Sequence, residues 1–273
     1  MSYESLKAES IGWWEFQETS GATLADDSSN GNDGTMYNYY ASPGFLTSTT
    51  GPTAWLPSAI GIVGDSSYKG IQLGSFPTSF VSGGGARTYA GWFQGTGSDA
   101  DYFLGAGESH SMASDGYAFA VGASIGESLP LRVKLGATLT VNIASPPEIS
   151  LGQWYHVAVR VPSGSSPMAS DIDFFINGTE YGTSLSGSDA ALNTSFSGTP
   201  IFGSILCAAT EAYVTGGCTG YMAGWATFDR ALTDAEIVTH YSNSDSGGGG
   251  GSGASGRRRP RLGLGGNLGI GMR

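Results

Sequence analysis

Five oxygen-bearing side chains, Asp26, Asp27, Asn30, Asn32 and Asp33, crowd into eight residues. Ca²⁺ takes six to eight oxygens from carboxylates, amides and carbonyls, so calcium is the metal this run would hold, with Asp27 and Asn32 as ligands. The competing reading is an Asx-rich turn, in which such side chains satisfy their own backbone. Tyr37, Tyr39 and Tyr40 follow in a polar stretch read as a loop. A tyrosine patch there would stack on a sugar or anchor a protein neighbour, unless the insertion folds back on the domain. His110, His156 and His240 lack the spacing of a zinc site and are expected as core or hydrogen-bonded histidines. No G-x-S-x-G elbow is present, and Ser82-Gly-Gly-Gly-Ala86 lacks the Lys-Ser/Thr of a phosphate loop. Cys207 and Cys218 are spaced to pair across a hairpin, a bond worth roughly 3 kcal/mol in the chain-entropy model, or stand as two buried thiols.

Charge divides the chain. Residues 1 to 246 hold all 23 acids and 7 of the 12 bases, a net of −16, whereas residues 247 to 273 hold five Arg and no acid, a net of +5. The acidic body should repel nucleic acid and anionic membranes, so neither is an expected partner. No apolar run approaches the ~20 residues of a membrane span, and the first residues show no secretory signal pattern. Five Gly and Ser-Gly-Ala-Ser-Gly form a flexible linker to Arg257, Arg258, Arg259 and Arg261, the residues suited to electrostatic anchoring. The expected organisation is a domain over 1–246 and a linker with a basic tail over 247–273.

The elements that must position these residues are almost all strands. With 40% hydrophobic residues and 31 aromatics, the body can bury a sizeable core. Its 45 glycines, with many Ser, Asn and Thr, separate short apolar or alternating runs. Strands are predicted over 11–17, 70–73, 87–94, 102–105, 117–123, 131–135, 154–161, 172–176, 201–207 and 220–228. In the 154–161 run, Tyr155, Val157, Val159 and Val161 are expected to face a core, with the alternate residues meeting water. Asn177-Gly178 predicts a tight hairpin. Thr233-Asp-Ala-Glu236 is a capping box that predicts one short helix near the end of the body.

Five segments in order resemble the laminin G-like branch of the concanavalin A-like lectin/glucanase superfamily. They are Ile11-Gly-Trp-Trp-Glu-Phe with Asp27-Ser-Ser-Asn-Gly-Asn-Asp-Gly34; Thr88-Tyr-Ala-Gly-Trp-Phe93; Gln153-Trp-Tyr-His-Val-Ala-Val159; Phe174-Phe-Ile-Asn-Gly178; and Phe228-Asp-Arg-Ala-Leu-Thr-Asp-Ala-Glu-Ile237. The resemblance implies an all-β jelly roll of two antiparallel sheets with a short C-terminal helix. Residues 37 to 67 and 95 to 115 are longer than a minimal domain needs. Relatives often carry Asp-Glu, and sometimes calcium, where this chain has Ala223-Gly224. The superfamily also holds glycoside hydrolases, whose Glu-x-Asp-x-x-Glu puts carboxylates on one strand face. Here the nearest string is Asp171-Ile-Asp-Phe-Phe-Ile-Asn177, without the final acid, so the expectation is a non-catalytic protein. Such domains with a basic tail resemble structural proteins of tailed bacteriophages. That resemblance implies a virion decoration or fibre subunit, anchored to other virion proteins by its tail and homo-oligomeric. The alternative is an extracellular carbohydrate-binding lectin module.

Overall fold

The structure, a computed structural model, describes residues 1–39, 42–43, 46, 48–62, 70–73, 84–96, 100–107, 117–124, 131–135, 139–145, 147, 149–164, 166–192, 201–202 and 220–243. His110, Tyr40, Cys207, Cys218 and the tail arginines Arg257, Arg258, Arg259 and Arg261 lie outside the described residues.

Two antiparallel sheets form the body. The first contains β1 (Gly12–Trp14), β5 (Ser48–Thr50), β6 (Ser58–Ile62), β8 (Arg87–Gly95), β13 (Trp154–Val161), β14 (Asp173–Ile176), β15 (Thr179–Tyr181) and β18 (Gly220–Phe228). Its order is β15-β14-β13-β8-β18-β6-β5, with β1 also on β18. The second contains β2 (Thr23–Leu24), β3 (Gly34–Tyr39), β4 (Ser42–Pro43), β7 (Gly70–Leu73), β9 (Ala100–Gly107), β10 (Tyr117–Ser124), β11 (Leu131–Leu135), β12 (Leu139–Ile143), β16 (Thr183–Ser186) and β17 (Ile201–Phe202). Its order is β16-β12-β11-β10-β9-β17-β7-β3-β2, with β4 on β3. This is the predicted jelly-roll class.

The core lies between the sheets. Tyr89, Phe93, Val157, Val159, Phe174 and Trp225 of the first sheet meet Met36, Ile71, Leu73, Val133, Val141 and Ile143 of the second, all buried. Trp14 and Trp225 can sit there because each indole N–H finds a carbonyl, Asn32 O at 3.0 Å and Trp92 O at 3.1 Å. A fully buried indole removes up to about 250 Å² from water, a gross gain of about 6 kcal/mol at 25 cal/mol/Å².

The hairpin signal is confirmed: Asn177 (φ 49°) and Gly178 (φ 72°) take the two positive φ values of the turn joining β14 to β15. So is the capping box, where Thr233 Oγ1 accepts from Glu236 N at 3.3 Å and Glu236 Oε2 accepts from Thr233 N at 2.7 Å. It opens helix α2 (Asp234–Ser242).

Three expectations are corrected. A second helix, α1 (Tyr3–Glu9), precedes β1; Ser2 Oγ caps it by accepting from Ser5 N at 3.1 Å, and Tyr3 and Leu6 share its buried face at helical spacing. The alternate face of β13 also does not meet water: His156 and Ala158 are buried, because α1, α2 and Trp55 cover the outside of the first sheet. That sheet is packed on both faces, and β8 and β18 accordingly read as nearly unbroken buried runs. The run expected over 11–17 is strand only at 12–14, since Phe16 turns to φ 63° while its ring stays buried. Among the described residues no helix is long and apolar enough to cross a membrane.

Candidate functional site

The end of β13 and the start of β14 bound an open cleft of about 650 Å³, lined among others by Pro162, Ser163, Ser166, Ser170, Asp171 and Asp173. The local sequence builds it. Two prolines, Pro162 and Pro167, withhold backbone donors just after β13, where the chain leaves the sheet. The return is pinned where Leu192 N donates to Pro167 O at 2.7 Å and Ala169 N donates to Ala190 O at 2.9 Å. A single 3₁₀ turn, Ala169–Asp171, follows, and Asp171 Oδ2 holds it by accepting from Met168 N at 2.7 Å. Ile172 is buried between Asp171 and Asp173, so the flanking carboxylates both belong to the cleft.

Each acid is fixed by a neighbour. Arg160 Nε donates to Asp173 Oδ2 at 2.7 Å, while its Nη1 reaches Asp234 Oδ1 at 2.7 Å and Leu232 O at 2.9 Å, tying the cleft to α2. Behind the wall, Asp189 accepts from Ser170 Oγ at 2.7 Å and from Ser170 N at 3.1 Å, and the serine hydroxyl holds the Asp189 carboxyl below its ordinary range. The result is a rigid concavity offering hydroxyls and carboxylate oxygens beside proline rings. Small-molecule pockets are usually lined mainly by apolar side chains. A hydroxyl- and carboxylate-rich cleft suits a polyhydroxylated ligand, whose O–H groups can both donate and accept.

The N-terminal Asx run makes a different structure. Asp26 Oδ1 accepts from Trp13 N and Ser28 N, each at 2.9 Å, and Asp26 Oδ2 accepts from Asn32 N at 2.8 Å. Asp27 Oδ2 accepts from Glu15 N at 3.2 Å, Asn32 Nδ2 donates to Ile11 O at 2.7 Å, and Asn30 Nδ2 donates to Ser10 O at 2.7 Å. The loop thus straps β1, whose outer edge would otherwise leave backbone groups unpaired. Asp27 and Asn32, the two expected calcium ligands, are close in this loop and engaged with backbone partners. No trio of His, Cys, Asp or Glu among the described residues is arranged to hold a metal ion. Burial raises the Asp27 carboxyl, as it does that of Glu18 nearby.

Tyr37 and Tyr39 are placed on strand β3 rather than in a loop, opposite Pro43 and Ser42 of β4 with a register shift between them. β3 forms because Gly34 to Tyr37 also pair along β7. At the Ala223-Gly224 departure, β18 carries a bulge. Gly224 has φ 54°, and the pairing of β18 with β8 shifts between Ala223 and Ala226. The bulge lets two partners share one edge of β18: β6 along Gly220 to Met222 and β1 along Trp225 to Thr227.

His156 on β13 and His240 on α2 meet under α2, as no spacing in the sequence indicated. His156 Nε2 and His240 Nδ1 are 2.8 Å apart, and both rings are wholly buried. Burial, with His240 as a lesser influence, pushes His156 well below its ordinary value; burial lowers His240 to about 3. The C-terminal turn of α2 favours a cation there by about 0.3–2 kcal/mol. Each tenfold loss of proton affinity corresponds to about 1.4 kcal/mol, so desolvation outweighs the helix dipole.

The family model of the concanavalin A-like lectin/glucanases superfamily matches residues 65–238, more than half of the chain. The chain therefore belongs to that superfamily. Among solved structures it is similar to domain 4 of an extracellular arabinanase from Geobacillus stearothermophilus, in complex with arabinotriose. The TM-score is 0.57 and the identity 16%, over 86% of this chain and 99% of that one. It is also similar to Trypanosoma rangeli sialidase, with a TM-score of 0.54 and 14% identity over 86% of this chain, but it spans only 32% of that enzyme's chain. At these identities the likeness is one of fold. No curated protein matches the chain.

Proposed function

We propose that this chain is a non-catalytic carbohydrate-binding module of lectin type, and that the Ser/Asp cleft between β13 and β14 is its glycan site. The observation that carries the reading is the cleft itself: hydroxyls and carboxylates held by their own hydrogen bonds on a rigid sandwich, so little ordering is left for binding to cost. The arabinotriose in the Geobacillus stearothermophilus domain makes an arabino-oligosaccharide the first ligand to try. Glycosidic hydrolysis asks for one carboxyl kept protonated opposite another. In the cleft Asp173 is instead ion-paired with Arg160, and the position of the missing acid holds Ile176, buried in the core between the sheets. Arabinotriose titration and a glycan array test the proposal. A Kd below about 1 mM, equivalent to about −4.1 kcal/mol, should weaken at least tenfold in Asp171→Asn and Ser166→Ala. Loss on Tyr39→Ala or Tyr40→Ala instead would move the site to the tyrosine run at residues 37–40, and released reducing sugar would make the protein a hydrolase.

The charge asymmetry supports a second reading, attachment of the module to a larger particle such as a virion through Arg257, Arg258, Arg259 and Arg261. Counter-charged capture by four clustered arginines is salt-sensitive. Removal of residues 247–273 should abolish incorporation into particles, and unchanged incorporation would end this reading.

A further inference from the structure

The covered outer face of the first sheet holds a feature that neither glycan binding nor the tail uses. His156 and His240 share one hydrogen bond of 2.8 Å, and their other ring nitrogens, His156 Nδ1 and His240 Nε2, find no partner. Around them stand aromatic rings from every element packed there. Trp13 of β1 lies 4.8 Å from His240 between ring centroids, Trp92 of β8 lies 5.5 Å from His156, Tyr241 of α2 lies 5.5 Å from His156, and Tyr3 of α1 lies 6.5 Å from His240.

We propose that the His156–His240 pair is an acid-sensitive latch, which holds α2, and α1 beside it, on the outer sheet face at neutral pH and releases them on protonation. Two neutral imidazoles fit the site because one donates the N–H that the other accepts. A first added proton could be shared along the bond, but it places a cation out of reach of water, a cost that contact with the surrounding indole and phenol rings only partly offsets. A second sets N–H against N–H.

No carboxylate is positioned to compensate. On α2, Glu236 lies one turn before His240 and is held by Arg230, at 2.9 Å to Nη1 and 3.0 Å to Nη2. On β13, Arg160 is committed to Asp173 and Asp234. On the N-terminal side, Lys7 of α1 takes Glu15 at 2.8 Å, and Asp27 accepts from Glu15 N. Burial raises the Tyr3 phenol far above its ordinary value, so it carries no charge either. Once α2 lifts, both histidines meet water and bind protons with an ordinary affinity near pH 6.5. Opening therefore takes up two protons, and its equilibrium constant should rise about a hundredfold per pH unit below about pH 6.

Rate-corrected hydrogen exchange of the full chain between pH 7 and 4.5 tests the latch. Amides of α2 should show that hundredfold dependence, those of β13 should stay protected through the same window, and His240→Gln should reduce the slope to about tenfold. The proposal is overturned if α2 exchange is independent of pH, or if α2 and β13 open together. Should His240→Gln not fold, titration of the ring C–H resonances in the unaltered chain decides. Protonation of both rings coincident with loss of the α2 signals supports the latch; protonation with α2 in place refutes it.

Discussion

Gly224 shows how one residue reconciles two demands on β18. The strand must accept β6 along its first half and β1 along its second, and the bulge between them needs a positive φ that glycine adopts at no steric cost. A Cβ at this position would stand 2.5 Å from Leu56 Cδ1, a buried side chain on the outer face. Gly224→Ala should therefore combine about 1–2 kcal/mol of left-handed backbone cost with about 1–3 kcal/mol of overpacking. Urea unfolding should show a loss of about 2–5 kcal/mol, and a variant within 0.5 kcal/mol of the parent, the range of an ordinary surface change, would mean that the bulge is not strained.

At the scale of elements, α2 is tied down more heavily than its nine residues suggest. Its first turn carries the capping box; Arg230 joins Glu236 to Glu9 of α1 at 2.6 Å; and Arg160 joins Asp234 to the cleft. Thr233→Ala removes a hydroxyl that accepts from Glu236 N and should cost about 1 kcal/mol, measured by chemical unfolding. Partial burial raises the Glu236 carboxyl, but hydrogen bonds from Arg230 and Thr233 overcome it and hold the group below its ordinary range. A depressed carboxylate adds stability above the unfolded-state value near 4.5 and loses it as pH falls through the folded value. The acid limb of the stability curve should consequently be shallower below pH 4.5 in Glu236→Gln, while the histidine slope, which runs from about pH 6.5 down through the same range, is common to both proteins. The capping box and the Asn-Gly turn were legible in the sequence because each is a motif within a few residues. α1 was missed, although Ser2 three residues before Ser5 and the Tyr3/Leu6 spacing were available signals; seven residues make a weak periodic pattern.

For the molecule as a whole, charge and layering pull in one direction. The body carries a net of −16, yet among the described residues Glu236 is the one buried carboxylate, and Arg230 holds it, so the acids sit where water or arginine serves them. Among the described residues α2 is the last element, and the family match ends at 238, within that helix. Deletion of 247–273, which lies beyond the family match, should accordingly leave the thermal midpoint within about 2 °C. A larger fall would mean that the tail packs on the body.

By itself the sequence determined the fold class, most strand positions, the hairpin and the capped helix. Alternation, turn chemistry and capping act between residues close along the chain, and their physics can be read in one dimension. The tertiary structure decided which faces are buried and which polar groups meet. β13 looks half-exposed until α1 and α2 are laid over it, and His156 and His240, 84 residues apart, become one hydrogen-bonded unit only in that packing. The cleft likewise needs Asp189 and Leu192 to come back against the turn after β13. Contacts of such sequence separation leave no local signal, because the free energy that forms them comes from closing the two layers rather than from any segment alone.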